Sequence, residues 1–301
     1  GVSFNIYTGE VLAMVGESGC GKTTIGKTIL KLIELTDGIV LHRGKDITHI
    51  TGVDLRKSRQ KMQIIFQDPY ESLNPRQSIY DIVAEPLIIH KLTKSREERD
   101  ERVFSALEST GLYPAREIAG RYPHHLSGGQ RQRVAIASVM VLEPEFIVAD
   151  EPVSMLDVSI RAEILMLMFD LRQKKNLTYL FITHDLSLAW VLADRIIVLY
   201  LGKVVEVGPA HEIIHAALHP YTQALVSVIP LPSPVSNRKR IILKGETPSA
   251  VQIPSGCHFH PRCWLRNEVG NPRECVEIEP ELRKAGNQHL AACHFIKEND
   301  L

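Results

Sequence analysis

The chain has no excess of charge of either sign and no long apolar run, and both absences limit its function. It carries 35 basic and 35 acidic residues, so no overall field attracts nucleic acid or an anionic membrane surface. Its longer apolar stretches, such as 164–169 and 196–201, stop far short of the ~18 residues that a membrane-spanning helix needs. We therefore expect a polypeptide that is soluble by itself and has no nucleic acid partner.

The sequence also lacks a signal peptide, an initiator methionine and any even distribution of cysteine. It begins at Gly1, which indicates a fragment or a processed chain. Cys20 is the one cysteine before Cys257, so a general disulfide framework is not expected. With 301 residues, the chain is long enough for one large domain or two ordinary ones.

A glycine-rich stretch near the start, residues 16–23, has the G-x-x-x-x-G-K-[ST] spacing of phosphate-binding loops. The apolar run 11–15 before it has the length of a buried strand, and residues 25–33 after it have helical periodicity. Glycine allows the backbone to turn its N–H groups inward on an anion, and the helix N-terminus adds partial positive charge. A glycine-rich turn with a chance lysine is the alternative, which the spacing and the flanking pattern disfavour. The predicted phosphate-binding residues are Gly16, Glu17, Ser18, Gly19, Cys20, Gly21, Lys22, Thr23 and Thr24.

The middle of the chain alternates short apolar runs with helical patterns, which predicts an α/β fold. A turn leads into the apolar run 39–41, a polar helix is expected over 53–60, and a strand over 61–67. Gln67 lies at the carboxyl end of that strand, where ligands gather in open α/β sheets. From 79 to about 141 the pattern is helical with proline and glycine interruptions, so we predict a helical insertion.

The side chains that would act on a nucleotide are a lysine, a hydroxyl and two carboxylates. Lys22 would reach the β- and γ-phosphates, and the Thr23 hydroxyl can bind Mg²⁺. Asp150 and Glu151 come at the end of an apolar run that starts at Phe146, where Asp150 suits Mg²⁺ and Glu151 suits an attacking water. Ordinary surface ion pairs are the structural alternative for both carboxylates.

The ordered set of motifs resembles the nucleotide-binding subunits of ABC transporters over about residues 1–230. Besides the phosphate loop, the set comprises Gln67, Leu-Ser-Gly-Gly-Gln at 126–130, Asp150-Glu151, Ser-Met-Leu-Asp at 154–157, and His184. The resemblance implies a RecA-like P-loop core with a helical subdomain at about 68–142, with ATP and Mg²⁺ as cofactors. It also implies an ATPase in which two protomers hold two ATP molecules between them.

The resemblance further assigns roles to individual residues. The implied catalytic residues are Glu151, His184 and Gln67, and the implied Mg²⁺ ligands are Thr23, Gln67 and Asp150. Ser127 and Gly129 are expected to bind the γ-phosphate of the ATP that the partner protomer holds. The implied nucleotide contacts outside the phosphate loop are Ser127, Gly128, Gly129, Gln130 and Asp157. A lone histidine is more often structural, but the strand pattern over 179–183 directly before His184 favours the functional interpretation.

Two positions depart from the pattern of the family. The aromatic residue that stacks on adenine has no match before Gly16, since Tyr7 lies too close to the loop. Met155 stands where alanine is commoner, and we expect the site to tolerate it. Cys20 occupies a variable position of the loop and is interpreted as a small filler without chemistry.

A helix is expected over 212–229, and the proline-rich stretch 230–234 after it has the composition of a semi-rigid linker. It divides the predicted nucleotide-binding domain, 1–230, from a predicted cysteine-rich C-terminal domain, 231–301. The four cysteines of this second domain have the spacing C-x₅-C-x₁₁-C-x₁₇-C, which predicts one local site. Four thiolates suit either an iron–sulfur cluster or zinc.

This cysteine-rich segment, with His-Pro-Tyr at 219–221, resembles the C-terminal extension of oligopeptide and dipeptide importer ATPases. The resemblance implies a 4Fe–4S cluster, with zinc as the alternative. Two disulfides are disfavoured because a transporter ATPase works in the reducing cytoplasm. The predicted metal ligands are Cys257, Cys263, Cys275 and Cys293. Mixed ligation stays open through His258, His260 and His294.

The sequence therefore predicts the ATPase subunit of an ABC importer for oligopeptides or dipeptides, peripheral at the cytoplasmic face of the cell membrane. Its expected partners are a second ABC ATPase subunit, identical or different, the transmembrane permease subunits and, through the complex, an extracytoplasmic substrate-binding protein. Oligosaccharide or nickel import is left open, because other subunits choose the cargo. A DNA-repair or translation ATPase would lack the cysteine-rich tail, and a non-catalytic regulator would lack Lys22, Asp150, Glu151 or His184.

The segment 68–90 is predicted to form an apolar groove beside Gln67. It combines prolines with apolar residues, namely Leu73, Ile79, Ile82, Val83 and Leu87. The resemblance implies that this groove accepts a cytoplasmic coupling helix of the permease. An ordinary helix-packing face is the alternative, because apolar periodicity does not distinguish a core from a groove.

Overall fold

The computed structural model describes residues 1–229, 239–249, 251–286 and 288–296. The predicted linker at 230–234, and with it the domain boundary at 230 and 231, lies outside the described residues. The chain divides into two compact units. The phosphate-loop unit consists of residues 1–6, 10–23 and 181–301, and the helical unit consists of residues 7–9 and 24–180.

Short strands and helices alternate along the chain, as the sequence pattern predicts. The strands are β1 (Val11–Val15), β2 (Leu41–His42), β3 (Lys45–Asp46), β4 (Met62–Ile65), β5 (Phe146–Asp150), β6 (Thr178–Thr183), β7 (Arg195–Tyr200), β8 (Lys203–Pro209), β9 (Arg283–Lys284) and β10 (Leu290–Ala291). The helices are α1 (Lys22–Ile29), α2 (Gly52–Lys61), α3 (Pro69–Ser72), α4 (Ile79–Ile89), α5 (Arg96–Ser109), α6 (Ala115–Ala119), α7 (Gly128–Met140), α8 (Val158–Lys175), α9 (Leu186–Leu192), α10 (Ala210–His215), α11 (Pro220–Ser227), α12 (Trp264–Glu268) and α13 (Glu274–Glu277). Across the described residues, each helix is too short or too polar to cross a bilayer.

The phosphate-loop unit is built on β1, which is buried along its whole length. It pairs in parallel with β7, from Leu12 opposite Arg195 to Val15 opposite Val198. β7 pairs antiparallel with β8, which pairs antiparallel with β10, and β10 pairs antiparallel with β9. A continuous apolar run such as 11–15 is typical of a strand that is covered on both faces, so the predicted buried strand is confirmed.

The C-terminal residues complete the core of this unit. Phe259 is buried in one apolar cluster with Tyr200 of β7 and Tyr221 of α11, and Cys257 and Cys263 pack against that cluster. A separate cysteine-rich domain is not confirmed by this arrangement. The tail has few apolar residues, so burying Phe259 in an existing core is a more effective source of stability than building a small core of its own.

A buried cluster of polar side chains fixes β10 to β8. The carboxylate of Glu206 in β8 accepts hydrogen bonds from the backbone N–H groups of Leu218 and His219, at 2.8 and 2.9 Å. His289, directly before β10, places Nε2 2.7 Å from Oε1 of Glu206 and Nδ1 3.3 Å from Oε2 of Glu212. Because Glu206 and His289 have no exposed surface, this pair contributes only while both partners are present.

The helical unit contains a parallel strand pair, a two-stranded antiparallel sheet and an apolar core. β4 and β5 pair in parallel, from Met62 opposite Phe146 to Ile65 opposite Ala149, and β2 pairs antiparallel with β3. Helices α4, α5, α6 and α7 share one apolar core. The helices predicted over 53–60 and over the charged stretch after Lys94 are confirmed as α2 and α5.

The helix expected over 212–229 is wrong as a single element, because the structure has α10 and α11 instead. Pro220 is the first residue of α11, and His219 before it has extended backbone, with φ −77° and ψ 132°. Proline lacks the N–H that a continuing helix would need and keeps the preceding residue out of helical backbone. In the apolar run 39–41, Leu41 alone lies in a strand, since β2 covers Leu41–His42, and Ile39 is exposed.

The predicted apolar groove is also wrong for the residues on which it was based. Leu73, Ile79, Ile82, Val83 and Leu87 are all buried in the core that α4 shares with its neighbours. The apolar residues that α4 does expose are Ile88 and Ile89, at its carboxyl end. A helix with apolar residues on most of its surface buries the majority of them inside its own unit, and so the packing interpretation is the correct one.

We predict that Leu87→Ala destabilises the chain, whereas Ile88→Ala does not. Leu87 is 0% exposed and Ile88 is 55% exposed, so the first change leaves a cavity and the second removes atoms that water already contacts. The expected loss is ~2–5 kcal/mol for Leu87→Ala and ~0.5 kcal/mol or less for Ile88→Ala. Urea unfolding of the full chain measures both values, and equal losses would contradict the packing of α4.

Candidate active site

The phosphate loop follows β1 directly and ends where α1 begins. Gly19 and Gly21 have φ of +79° and +104°, a backbone conformation that residues with a side chain rarely adopt. Gly16 is needed for a different reason, because a Cβ atom there would lie 2.2 Å from the carbonyl oxygen of Leu199. Gly16 therefore allows the backbone to pass close to β7, whereas Gly19 and Gly21 make the turn of the loop.

Lys22 is enclosed by the loop that it belongs to. Its Nζ donates to the carbonyl oxygens of Gly16 and Glu17, at 2.7 and 2.9 Å, and the residue is 5% exposed. An ammonium group presents three donors and no acceptor, and phosphate oxygens are among its best partners. The loop thus keeps a cation at its centre, which is the property that a phosphate-binding loop requires.

Two other predicted residues lie in the same unit. Cys20 is buried beside Lys22, and burial raises the pKa of its thiol above the usual value although the nearby lysine lowers it. A protonated thiol is a weak nucleophile, which agrees with a filler role. His184 follows β6 and is exposed, and Asp185 after it caps α9 by accepting a hydrogen bond from the Ser187 N–H at 2.9 Å.

In the helical unit, the structure brings Gln67 and Glu151 together. Nε2 of Gln67 donates to Oε2 of Glu151 at 3.3 Å. Asp150, the last residue of β5, is buried, whereas Glu151 turns out of the strand with a left-handed φ of 47°. Such a backbone costs a residue with a side chain ~1–2 kcal/mol and is concentrated at functional sites. Two adjacent carboxylates therefore leave the strand in different directions.

The segment after Glu151 is held by hydrogen bonds that the sequence pattern did not reveal. The Ser154 hydroxyl donates to the Glu151 carbonyl oxygen at 3.0 Å. Arg161 of α8 donates to the carbonyl oxygens of Leu156, at 2.7 Å, and Ser154, at 3.2 Å. Asp157 is the N-cap residue of α8. The signal for Arg161 was its place four residues, about one helical turn, after Asp157.

Ser127 and Gln130 form the N-terminus of α7 by capping each other. The Ser127 hydroxyl accepts from the Gln130 N–H at 3.3 Å, and the Gln130 side chain accepts from the Ser127 N–H at 3.1 Å. Gly129 allows α7 to approach α8, since a Cβ there would lie 2.6 Å from Cγ2 of Ile160. α7 thus begins directly after its N-cap Ser127, inside the stretch from 79 to about 141 that was predicted to be helical.

The predicted nucleotide residues fall into two sets, one in each unit. The phosphate-loop unit contains Gly16, Glu17, Ser18, Gly19, Cys20, Gly21, Lys22, Thr23 and His184. The helical unit contains Thr24, Gln67, Ser127, Gly128, Gly129, Gln130, Asp150, Glu151 and Asp157. Each set has one feature that the sequence alone did not give, the enclosed Lys22 in the first and the Gln67–Glu151 contact in the second.

The four C-terminal cysteines line a single cavity in the phosphate-loop unit. The cavity is lined by His219, Pro220, Cys257, Phe259, His260, Cys263, Leu265, Arg266, Cys275, Cys293, His294 and Phe295. Burial raises the pKa of Cys257 to about 12 and that of Cys293 to about 11. Among the described residues, however, no three cysteine, histidine or acidic side chains are grouped so that they could hold a metal ion.

The profile of the ABC transporter family matches residues 1–154. The chain belongs to the ABC transporter ATPases. A second profile, of the C-terminal region of oligopeptide/dipeptide transporters, matches residues 205–269. The phosphate loop and both carboxylates of the ABC ATPase therefore lie in the first matched region, and two of the four cysteines lie in the second.

Similar proteins agree with this assignment over almost the whole ABC ATPase chain. The oligopeptide transport ATP-binding protein AppF of Bacillus subtilis is 48% identical over 98% of this chain and 88% of its own length. The oligopeptide transport ATP-binding protein OppF of the same organism is 52% identical over 85% of this chain and 83% of its own length. The chain is thus an ATP-binding subunit of the oligopeptide/dipeptide type.

Solved structures show the same fold. The chain superposes on cbiO1 from Clostridium perfringens, part of the ABC transporter complex cbiONQ, with a TM-score of 0.65, 30% identity, and coverage of 72% of this chain and 83% of that one. For the ATP-binding cassette MJ0796, a dimer bound to ADP and Pi, the TM-score is 0.62, with 32% identity and coverage of 69% and 88%. The α/β core of this chain is therefore the RecA-like core of ABC ATPases.

We predict that Gly16→Ala disrupts the phosphate loop of this ABC ATPase, because the new Cβ atom meets the carbonyl oxygen of Leu199. We expect a loss of ~1–3 kcal/mol in unfolding free energy and weaker ATP binding. Gly120→Ala is the matched control, since its φ is −78° and its nearest atom would be 3.7 Å away. Urea unfolding and calorimetry with Mg-ATP test both variants, and a harmless Gly16→Ala would refute the close approach.

Proposed function

We propose that this chain hydrolyses ATP and that hydrolysis powers the import of oligopeptides or dipeptides through a membrane ABC transporter. The observation that carries the proposal is the co-occurrence, in one chain, of a match to the ABC transporter family, which contains the phosphate loop, Asp150 and Glu151, and a match to the C-terminal region of oligopeptide/dipeptide transporters. The names of the similar proteins favour peptide cargo over oligosaccharides or nickel. Copurification of the intact complex from its membrane, with identification of the bound cargo, tests the choice of substrate.

The roles of the individual residues follow from their chemistry. The loop of residues 16–24 binds the ATP phosphates, with Lys22 on the β- and γ-phosphates and the Thr23 hydroxyl on Mg²⁺. Asp150 supplies a carboxylate to Mg²⁺, and Glu151 orients and polarises the attacking water, with Gln67 fixing the direction of its carboxylate. His184 acts at the γ-phosphate.

The proposed assembly contains two ATPase protomers, which are identical or different, and the transmembrane permease subunits. Ser127, Gly128, Gly129, Gln130 and Asp157 then contact the ATP of the partner protomer. The dimeric MJ0796 cassette supports this arrangement, since it has the same fold. The chain accordingly works at the cytoplasmic face of the membrane as a peripheral subunit, with an extracytoplasmic substrate-binding protein delivering cargo to the complex.

We predict that Glu151→Gln lowers ATP turnover by at least about a hundred-fold while Mg-ATP binding is retained. The amide keeps the shape of the side chain but does not accept a proton from water. Phosphate release measures turnover, and light scattering with Mg-ATP is expected to show a persistent dimer. Glu143→Gln is the control, because Glu143 is an exposed glutamate outside the site. Unchanged turnover in Glu151→Gln would remove Glu151 from catalysis.

We include a thiolate-bound 4Fe–4S cluster in the proposal, with zinc as the alternative, because all four cysteines line one cavity. Nε of Arg266 is buried at this cavity without a hydrogen-bond partner. Burial raises the pKa of Cys275, and the charge of Arg266 opposes that rise. An unpaired cationic donor beside four thiols suits a group that carries negative charge and sulfur acceptors.

Zinc demands a tighter arrangement of the same ligands. Zn–S bonds of ~2.3 Å in a tetrahedron would hold the four sulfur atoms within ~3.8 Å of one another. A cluster has a larger core, so its four thiolates lie farther apart. When bound, it would be held by Cys257, Cys263, Cys275 and Cys293, and would supply structural support or electron transfer rather than ATP chemistry.

We predict that the chain, purified without oxygen, is brown and contains about four irons, with absorbance near ~400 nm that dithionite bleaches. Cys275→Ser is expected to lower the iron content and to loosen the C-terminal region towards proteases. Cys20→Ser, in the phosphate loop, is the control and is expected to change neither. A colourless protein that contains one zinc ion per chain would show that the metal is zinc instead of a cluster. Absence of both metals, with a protease-resistant C-terminal region, would reject the metal site.

A further inference from the structure

Glu17, the second residue of the phosphate loop, is held at all of its polar groups. Its backbone N–H donates to the Tyr221 hydroxyl at 3.0 Å, and its carbonyl oxygen accepts from Lys22 at 2.9 Å. Its carboxylate accepts hydrogen bonds from Nη1 of Arg262, at 2.8 and 3.1 Å, and from the hydroxyl of Thr247. Three of these four partners come from the C-terminal third of the chain, so the loop is fixed from outside itself.

Arg262 is itself fixed in place. It is the last residue of a short 3₁₀ helix, His260–Arg262, and its side chain is 9% exposed. Besides Glu17, its Nη1 lies 3.2 Å from the Thr247 hydroxyl and 3.4 Å from the Tyr200 hydroxyl. A guanidinium that is this enclosed makes ion pairs that water screens weakly.

The aromatic residues that pack around the backbone near Arg262 form a rigid cluster. Phe259 packs on Tyr200 and Tyr221, with ring centroids 5.2 and 5.4 Å apart, and Tyr200 and Tyr221 are 4.8 Å apart. All three rings are buried, and the two edge-to-face pairs, Tyr200–Phe259 and Tyr200–Tyr221, have a defined geometry. The aromatic cluster thus fixes the Tyr221 hydroxyl and the backbone that carries Arg262 in one arrangement.

Arg262 also neutralises the negative charge of Glu17. A carboxylate in a loop that receives a triphosphate repels the ligand unless a cation neutralises it. Arg262 is the cation whose ion pair with Glu17 the structure shows, whereas Lys22 contacts the backbone carbonyl of Glu17. Removing Arg262 would therefore both release the loop and leave an uncompensated negative charge beside the phosphates.

We propose that Arg262 is a positioning residue for ATP binding, which acts through Glu17 to hold the phosphate loop in shape and to neutralise its carboxylate. The inference rests on the proposed ATPase function and deepens it. It gives the oligopeptide/dipeptide C-terminal region, to which Tyr221, Thr247 and Arg262 belong, a direct part in nucleotide affinity. Arg262 contacts the loop and not the ligand.

The test is a double-mutant cycle on the full chain, with Mg-ATP affinity measured by calorimetry. We expect Arg262→Met to weaken Mg-ATP binding by about ten-fold, the effect of losing a charge-assisted contact from Nη1 to both oxygens of the Glu17 carboxylate. Glu17→Gln in the Arg262→Met background is expected to restore affinity by several fold, because it removes the uncompensated charge. A role confined to folding of the C-terminal region predicts no such recovery.

Controls separate charge, geometry and folding. Arg273→Met, at an exposed arginine of the same region, is expected to bind Mg-ATP as the unsubstituted chain does. Arg262→Lys keeps the charge without the planar guanidinium and is expected to lose about three-fold. The deficit of Arg262→Met is also expected to shrink as ionic strength rises, because salt screens the repulsion. If Arg262→Met does not fold, the same double-mutant cycle is measured with Thr247→Val, a milder substitution, in place of Arg262→Met. Mg-ATP affinity is then compared for Thr247→Val with and without Glu17→Gln.

Two results would overturn the inference. The first is an Arg262→Met variant that binds Mg-ATP as tightly as the unsubstituted chain. The second is a weakened variant that Glu17→Gln fails to improve. Failure of the unsubstituted chain to bind Mg-ATP is a different result, which would overturn the proposed ATPase function and this inference with it.

Discussion

The close passage of Gly16 beside the Leu199 carbonyl determines how the phosphate loop is built. β1 is buried along its length and pairs with β7, so the chain leaves the strand at a fixed point with no room for a side chain. Gly19 and Gly21 then take the left-handed backbone that turns the loop. Lys22 begins α1 with its ammonium group already inside the loop. One tight contact thus places the cation on which phosphate binding depends.

The short helix His260–Arg262 connects this loop to the cysteine-lined cavity. Arg262, at one end, contacts Glu17, while His260, at the other, lines the cavity between Cys257 and Cys263. The phosphate loop and the cavity share the aromatic cluster of Tyr200, Tyr221 and Phe259, because the Tyr221 hydroxyl accepts from the Glu17 N–H and Phe259 lines the cavity. A change in the cavity therefore has a path of only a few residues to the phosphate loop.

Local sequence predicted the parts of the site that depend on local chain geometry. The spacing of 16–23 gave the loop, because the turn and the helix start require glycine and lysine at set intervals. Apolar periodicity could not say that Leu87 faces a core, since the same pattern lines a groove. The break at Pro220 was visible in the sequence, and the apolar pattern around it concealed its effect. The Arg262–Glu17 pair joins residues 245 apart, which no local pattern can reveal.

Because Glu206 is buried against His289, the C-terminal residues of the chain help to keep it soluble. A truncation between β9 and β10 would leave the Glu206 carboxylate enclosed without its imidazole partner, and would uncover the edge of β8 that β10 now occupies. An open, unprotected strand edge is a template for pairing with another chain. A shortened chain would then keep every ATP residue named above and still tend to aggregate, so a stable minimal ATPase has to extend past Ala291.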